Sequence, residues 1–304
     1  MSADPASRDE VETLLGRCTF PPAGTDVTCA VSGGPDSAAL LVLAVAAGCR
    51  ATAVHVDHGL RVGSAGEADV VARLATRLGA GFRAVTVQVA DGPNLEARAR
   101  DARYAALPAD VLTGHTADDQ AETMLLNLLR GAGASGLGAM RPGPNRPILG
   151  LRRAETVALC AALGIDVVRD PSNDDPRHRR NRVRHELLPL LDDIAQRDVV
   201  PVLARQADLA RDEADLLDAL ATDLDPTDAK ALAAAPTAVA RRAVRRWLTT
   251  THPPDAATVA RVLAVAAGDA GATDIGQGRR VERHQQRLSV RPSPTPSPDG
   301  PPRE

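Results

Sequence analysis

Aromatic residues are nearly missing from this chain of 304 residues, which has two Phe, one Tyr and one Trp. A core must therefore be built from Leu, Val and Ala, and base stacking is excluded as the main grip on a nucleic acid. Lysine is almost absent as well: Lys230 is the only one among 36 cationic residues. Arginine carries the positive charge, and that skew alone says nothing about function. A net charge of −3 excludes a wholly basic protein but leaves room for local basic patches. The four cysteines (Cys18, Cys29, Cys49, Cys160) lie far apart, with no C-x-x-C and no zinc spacing. No disulfide framework is expected, and a reduced, cytoplasmic setting fits best. The polar start "MSADPASRDE" is no signal peptide. The longest apolar run, Ala38 to Cys49, falls short of the ~20 residues of a membrane span and reads as a buried helix.

Hydrophobic residues make up 44% of the chain, enough for a core, and the length suits two domains better than one. Strand-like and helix-like stretches alternate through the first half. Strands are predicted over 26–31, 51–56, 82–89 and 109–115, and helices over 36–48, 64–79, 94–107 and 117–131. "RPILGL" and "IDVVRD" are further short strand candidates on either side of a helix at 153–163. This order implies right-handed βαβ crossovers and a doubly wound parallel sheet, an α/β fold with helices on both faces. Near residue 185 the pattern turns helical. The expected organisation is an extension over 1–25, an α/β domain over 26–191, a helical linker over 192–228, a small, mostly helical domain over 229–291 and a disordered tail over 292–304. Within the small domain, "GQGRRVERHQQRLSVRP" reads as a β-hairpin with basic ends.

The stretch "CAVSGGPDSAALL" (29–41) places Ser32, Gly33, Gly34, Pro35, Asp36 and Ser37 between a strand and a helix. Small residues there permit tight curvature and close ligand approach. The helix start turns its N–H groups and positive dipole end toward an anion, and two hydroxyls add donors. Asp36 would repel a phosphate unless a Mg²⁺ ion sat between them. Residue types alone thus point to a Mg-nucleotide, against the plainer reading of an Asp/Ser-capped helix after a glycine turn. The loop lacks the G-K-[ST] of a Walker A motif. "GAGASG" (131–136) matches G-x-G-x-x-G literally, but it follows a helix, so a dinucleotide site is rejected there.

"SGGPDS" after the first strand resembles the PP-loop of the N-type ATP pyrophosphatases. Three further stretches narrow the likeness: "AVHVDHGLR" (53–61), "TGHTADDQAETMLLNLLRGAGASGLGAM" (113–140) and "DPSNDDPRHRRNRVRHELLPLL" (170–191). Together they resemble the tRNA(Ile)-lysidine synthetase family in a short form, closely over 26–191 and weakly beyond. The resemblance implies ATP-dependent adenylation of the wobble cytidine in a CAU-anticodon isoleucine tRNA. Free L-lysine then displaces AMP to give lysidine. ATP, Mg²⁺, tRNA(Ile), L-lysine and a possible homodimer are its implied cofactors and partners, with no membrane partner.

The family reading places ATP phosphates on Ser32, Gly33, Gly34, Pro35, Asp36 and Ser37, with Mg²⁺ on Asp36. His115, at a strand's C-terminal end, becomes an ATP-phosphate contact rather than a capping residue. Arg103, beside Arg100 and Tyr104 in "ARDARY", would neutralise charge on the α-phosphate, where a solvated basic face is the ordinary alternative. Adenine is expected near Val56 and Asp57, while His55, His58 and Arg61 have no clear roles. Asp119 and Glu122 share a helix face, and two acids together suit either the ammonium groups of lysine or a metal ion; the family reading assigns them to lysine or to its activation, and dipole-favoured acids in a first turn are the plain alternative. Arg177, Arg179, Arg180, Arg182 and Arg184 would meet tRNA phosphates, as would "RRAVRRW" (241–247) and "GRRVERHQQR" (278–287). Three alternatives stand beside this reading. An RNA thiolase of the same superfamily would need a catalytic cysteine pair or an Fe–S site. A metabolite synthetase would lack its glutaminase partner here. A non-catalytic RNA-binding module would have no use for the intact acids.

Overall fold

A computed structural model of the chain describes residues 5–57, 65–87, 98, 101–102, 104–168 and 175–293. It divides into two compact units, Met1–Leu209 and Ala210–Glu304.

In the first unit, β1 (Asp26–Ala30), β2 (Arg50–Asp57) and β3 (Gly81–Thr86) form a parallel sheet in the order β1-β2-β3. Helices α2 (Pro35–Ala46) and α3 (Ala65–Leu78) make the two crossovers. Side chains alternate across the sheet as a pleat requires. Cys29, Val31, Ala51 and Ala53 face a core shared with Leu14, Leu40, Leu41, Val71 and Leu159, whereas Val54 packs with Leu107 and Val111 on the other face. Helix α2 has Ser37 to Ala44 buried in succession, as its unbroken apolar sequence predicts. Leu14 of α1 (Pro5–Leu15) enters the same core.

The expected strand over 109–115 contracts to a single parallel bridge, Cys29↔Leu112. Leu112 N–H donates to Thr28 O at 2.8 Å, and Ala30 N–H donates to Leu112 O at 2.9 Å. This bridge lies on the edge of β1 opposite β2, so the chain reverses direction of winding between β1 and Leu112. Ligands of open α/β sheets bind at such a switch point. "RPILGL" and the described part of "IDVVRD" (165–168) are not strands. Ile148, Leu151 and Ile165 instead fill the core from turn and irregular backbone, so short apolar runs here report burial and not strand pairing. The remainder of "IDVVRD" and parts of the predicted 82–89 strand and 94–107 helix lie outside the described residues. Helices α4 (Ala117–Leu129), α5 (Ala134–Leu137) and α6 (Arg153–Ala162) follow. Next come α7 (Arg179–Arg182), a π-helical turn (Val183–Leu187), α8 (Leu188–Ala195) and α9 (Val200–Leu220).

The second unit packs α10 (Ala229–Ala234), α11 (Thr237–Leu248) and α12 (Ala256–Ala267) with an antiparallel sheet of β4 (Ala272–Gly276), β5 (Arg279–His284) and β6 (Arg287–Pro292). The predicted hairpin is β5–β6, and β4 is a strand the sequence reading missed. The core is aliphatic: Leu232, Val244, Val262, Val265, Val281 and Leu288. Arg283 donates to Ala266 O at 2.9 Å and so satisfies the C-terminal end of α12. Among the described residues no helix is long and apolar enough to cross a membrane. All but the first two residues of the predicted tail lie outside them.

Candidate active site

The turn after β1 is shaped by two glycines. Gly33 has φ +93°, and a Cβ there would sit 2.7 Å from Val168 Cγ2; its carbonyl accepts from Val168 N–H at 2.8 Å. Gly114, just past the Leu112 bridge, approaches the start of α2 so closely that a Cβ would lie 2.8 Å from Asp36 O. Only glycine lets the 113–115 segment lie against that helix end. Ser32 is exposed and its Oγ lies 3.3 Å from Ser37 Oγ, while Ser37 Oγ donates to Gly34 O at 2.9 Å. Pro35 opens α2 with a fixed φ and no wasted N–H. The result is a hydroxyl-lined helix N-terminus at the sheet's C-terminal edge, the kind of end whose free N–H groups and positive dipole favour anions. His55, without a clear role in the sequence, is buried, with Nδ1 2.9 Å from Val31 O; it braces the strand end below the loop.

Asp36, in the first turn of α2, is bonded to side chains of α6. Its Oδ2 accepts from Arg153 Nε at 3.0 Å, and its Oδ1 accepts from the buried hydroxyl of Thr156. Burial raises the Asp36 carboxyl above its ordinary value, and the charge of Arg153 with the bonds from Thr156 and Arg153 opposes that only partly. Thr156 and Cys160 sit one turn apart on α6, and the Cys160 thiol donates to Pro35 O at 3.5 Å. That α6 face thus holds the start of α2.

The same Arg153 guanidinium donates from Nη2 to Asp119 Oδ1 and from Nη1 to Glu122 Oε1, each at 3.0 Å. Arg180 adds bonds to Glu122 Oε2 at 2.7 Å and Asp119 Oδ1 at 3.3 Å. Arg184 clasps Glu122 with two further bonds. Three carboxylates and three guanidiniums therefore form one partly buried, charge-balanced cluster. Glu122 is fully buried. Burial alone would raise its carboxyl, but the hydrogen bond from Arg184 and the charges of Arg153, Arg184 and Arg180 hold it down at about 2. Asp119 also accepts from Thr116 N–H at 3.0 Å, closing a capping box at the start of α4. The dipole role of first-turn acids and the charge cluster are thus combined in Asp119.

Arg153 and Thr156 escaped the sequence reading. One signal was present: "LRRAE" puts two arginines at the start of a helix, where the dipole disfavours cations. Asp118 resolves it by accepting from Arg153 N–H at 2.7 Å and from Arg152 Nε and Nη2, each at 3.1 Å. The decoy "GAGASG" is part of a turn pinned to α4, where Gln120 bonds both N–H and O of Met140, and Asn127 donates to Gly136 O at 2.8 Å.

His115 stands at the same edge, its Nδ1 2.8 Å from Thr113 Oγ1, which itself donates to Asn145 O at 3.0 Å. Val56 and Asp57 end β2 half-buried. Arg103, Arg100, His58 and Arg61 lie outside the described residues. Of the five arginines in 177–184, Arg180 and Arg184 point inward onto the cluster. Arg177 pairs with Asp175 and Arg182 with Glu186 at the surface, and Arg179 is exposed. On α11, Arg241, Arg245 and Arg246 are exposed, whereas Arg242 turns to Asp218 at 3.1 Å. Among the described residues no group of three or more His, Cys, Asp or Glu side chains is arranged to hold a metal ion. Asp36 is a single carboxylate at the start of α2 whose Oδ2 accepts from Arg153, and one or two carboxylates are what the sparse protein ligation of Mg²⁺ asks for.

Residues 7–191 match the PP-loop domain family, and residues 228–289 match the TilS substrate binding domain. The chain is 46% identical over 245 residues to the tRNA(Ile)-lysidine synthase of Nocardia farcinica, covering 75% of this chain and 77% of that one. It is 44% identical over 273 residues to the enzyme of the same name from Thermobifida fusca, covering 81% and 84%. A likeness of fold extends to the U34-tRNA thiolase NcsA from Methanococcus maripaludis, with a TM-score of 0.53, 16% identity and coverage of 68% of this chain and 79% of that one.

Proposed function

The chain belongs to the tRNA(Ile)-lysidine synthase family of PP-loop enzymes, and from that premise we propose that it ligates L-lysine to C2 of the wobble cytidine of CAU-anticodon tRNA(Ile). In the first half-reaction, O2 of the cytidine attacks the α-phosphate of ATP and pyrophosphate leaves. In the second, the amine of free lysine attacks C2, the C2–O bond breaks, and AMP departs with both bridging electrons. All of these reactants are solutes of the cytoplasm, where we place the enzyme.

One observation supports this reading above the rest. Arg153 joins Asp36 to Asp119 and Glu122 by three bonds of 3.0 Å, so the residues proposed for phosphate and those proposed for ammonium are adjacent. An enzyme that activates with ATP and then admits an amine needs that adjacency. The anion seat of Ser32 to Ser37 takes the phosphates, and Asp36 would hold Mg²⁺ against them. Mg²⁺, when bound, neutralises charge on the leaving pyrophosphate. His115, whose Nδ1 lies 2.8 Å from Thr113 Oγ1, would contact the phosphates, and Arg103 would neutralise charge on the α-phosphate. Asp119 and Glu122, paired with Arg153, Arg180 and Arg184, would take the ammonium groups of lysine in exchange for the Arg153 donor. Exposed Arg177, Arg179 and Arg182 flank the cluster and meet tRNA phosphates, whereas Arg180 and Arg184 keep the carboxylates ionised.

A thiolase reading finds no support at the loop. The cysteine beside it, Cys160, has its thiol pushed up to about 11 by burial and by the charge of Asp36, the reverse of a nucleophilic sulfur. The test mixes protein, ATP and Mg²⁺ with labelled L-lysine and transcribed tRNA(Ile) bearing CAU. Lysine incorporation that needs the wobble cytidine, with one AMP per lysine, is expected. AMP release without incorporation would redirect the search to another nucleophile. No AMP with tRNA still bound would favour a non-catalytic RNA-binding module.

A further inference from the structure

We infer that Arg153 couples the two seats, so that nucleotide and lysine each bind more tightly in the presence of the other. The inference rests on the assignment of Asp36 to the nucleotide and of Asp119 and Glu122 to lysine. Each nitrogen of its guanidinium serves a different carboxylate: Nε serves Asp36, Nη1 serves Glu122 and Nη2 serves Asp119. Arg180 and Arg184 reach Asp119 and Glu122, and the hydrogen bonds of Asp36 come instead from Arg153 and Thr156. Among the described residues Arg153 is thus the cation common to both seats, and a ligand entering either one must compete with it.

A Mg²⁺-bound triphosphate that claims Asp36 removes one of the three anions holding the guanidinium. It also offers phosphate oxygens as new partners for Arg153. Asp119 Oδ1 and Glu122 Oε1 then lose a donor, and a lysine ammonium supplies its replacement. Arg180 and Arg184 keep those carboxylates charged throughout. The backbone of Arg153 stays fixed, because Asp118 accepts its N–H at 2.7 Å and its carbonyl lies 2.8 Å from Thr156 Oγ1. Only the side chain needs to move. Linkage makes the effect reciprocal: lysine that displaces Arg153 from Asp119 and Glu122 frees Asp36 by the same factor.

Isothermal calorimetry of the full chain tests this without turnover. Lysine is titrated with and without Mg²⁺ and a non-hydrolysable ATP analogue, into wild type, Arg153→Met and Arg153→Lys. Wild type should bind lysine on the order of 5- to 150-fold more tightly with the nucleotide present. Arg153→Met should bind lysine equally with and without it. Arg153→Lys, whose compact ammonium cannot span three carboxylates, should retain only part of the ratio, and it serves if the Met variant does not fold. A wild-type ratio of one, or an unchanged ratio in both variants, overturns the coupling. Glu122→Gln separates the two claims. Lysine binding that this variant does not weaken removes the lysine seat and the coupling with it. Weakened binding together with an unchanged ratio in the Arg153 variants removes the coupling alone.

Discussion

Glu122 presents both carboxylate oxygens to one guanidinium fork: Arg184 Nε donates to Oε1 at 2.7 Å and Nη2 donates to Oε2 at 3.1 Å. Arg180 and Arg153 add one bond each, so a fully buried carboxylate is held by three cations. Removing it leaves the three cations with Asp119 and Asp36 as their remaining partners in a partly buried site. Glu122→Ala should therefore cost about 3–5 kcal/mol, the range for breaking a buried ion pair by deleting one partner. A denaturant midpoint within error of wild type would show that solvent already screens the cluster.

The same carboxyl sets an acid limit on stability. Its value falls on folding from an ordinary 4.5 to about 2. A depressed carboxyl stabilises the fold fully above the higher value, and the effect drains away as pH falls toward the lower. Wild type should lose stability between about pH 4.5 and about pH 2 more steeply than Glu122→Gln, which has no proton to take up. Parallel loss in the two proteins would assign the acid transition to other groups.

Asp36 has the opposite sign. Its raised carboxyl means that the charged form burdens the folded state at neutral pH. Its contribution is largest at low pH and is lost as pH rises through the folded value. Asp36→Asn should leave the melting temperature at neutral pH unchanged or higher while AMP release falls below detection. A clear drop in melting temperature would mean that the bonds to Arg153 and Thr156 outweigh burial. Retained AMP release would remove Asp36 from the nucleotide seat.

Local chemistry made some of this legible in sequence and distance hid the rest. The phosphate turn could be read because its strand, glycines and helix start are contiguous, and the Asp119–Glu122 pair because three residues on a helix share a face. Arg153 lies 117 positions from Asp36, and no periodicity links them. The strand expected over 109–115 marks the right place, but it contracts to the single bridge Cys29↔Leu112, and the similar apolar run Ile148 to Leu151 pairs with no strand. The second unit's β4 was missed because "ATDIG" carries a single large apolar residue.

Gly114 reports how tightly the switch point is closed. Gly114→Ala pushes a methyl to 2.8 Å from Asp36 O, a backbone atom that cannot swing aside. The expected cost is about 1–3 kcal/mol of overpacking. Displacement of the α2 start should also lower AMP release while tRNA affinity is kept. Wild-type stability in a denaturant melt would show that the two segments stand further apart than this packing requires.

The arginine-rich segment divides by direction, and this separates its roles experimentally. Arg179 is exposed, whereas Arg180 is spent on Glu122 and Asp119. Arg179→Ala should weaken tRNA binding, reduce the slope of log K against log salt by about 0.9 for one lost phosphate contact, and leave stability unchanged. Arg180→Ala should lower the melting temperature and weaken lysine binding while the salt slope stays near that of wild type. Filter binding across a salt series, paired with a thermal melt of each variant, distinguishes them. If both variants change the slope equally and neither changes the melt, the inward and outward arginines serve the tRNA alike, and the carboxylates hold their charge without Arg180.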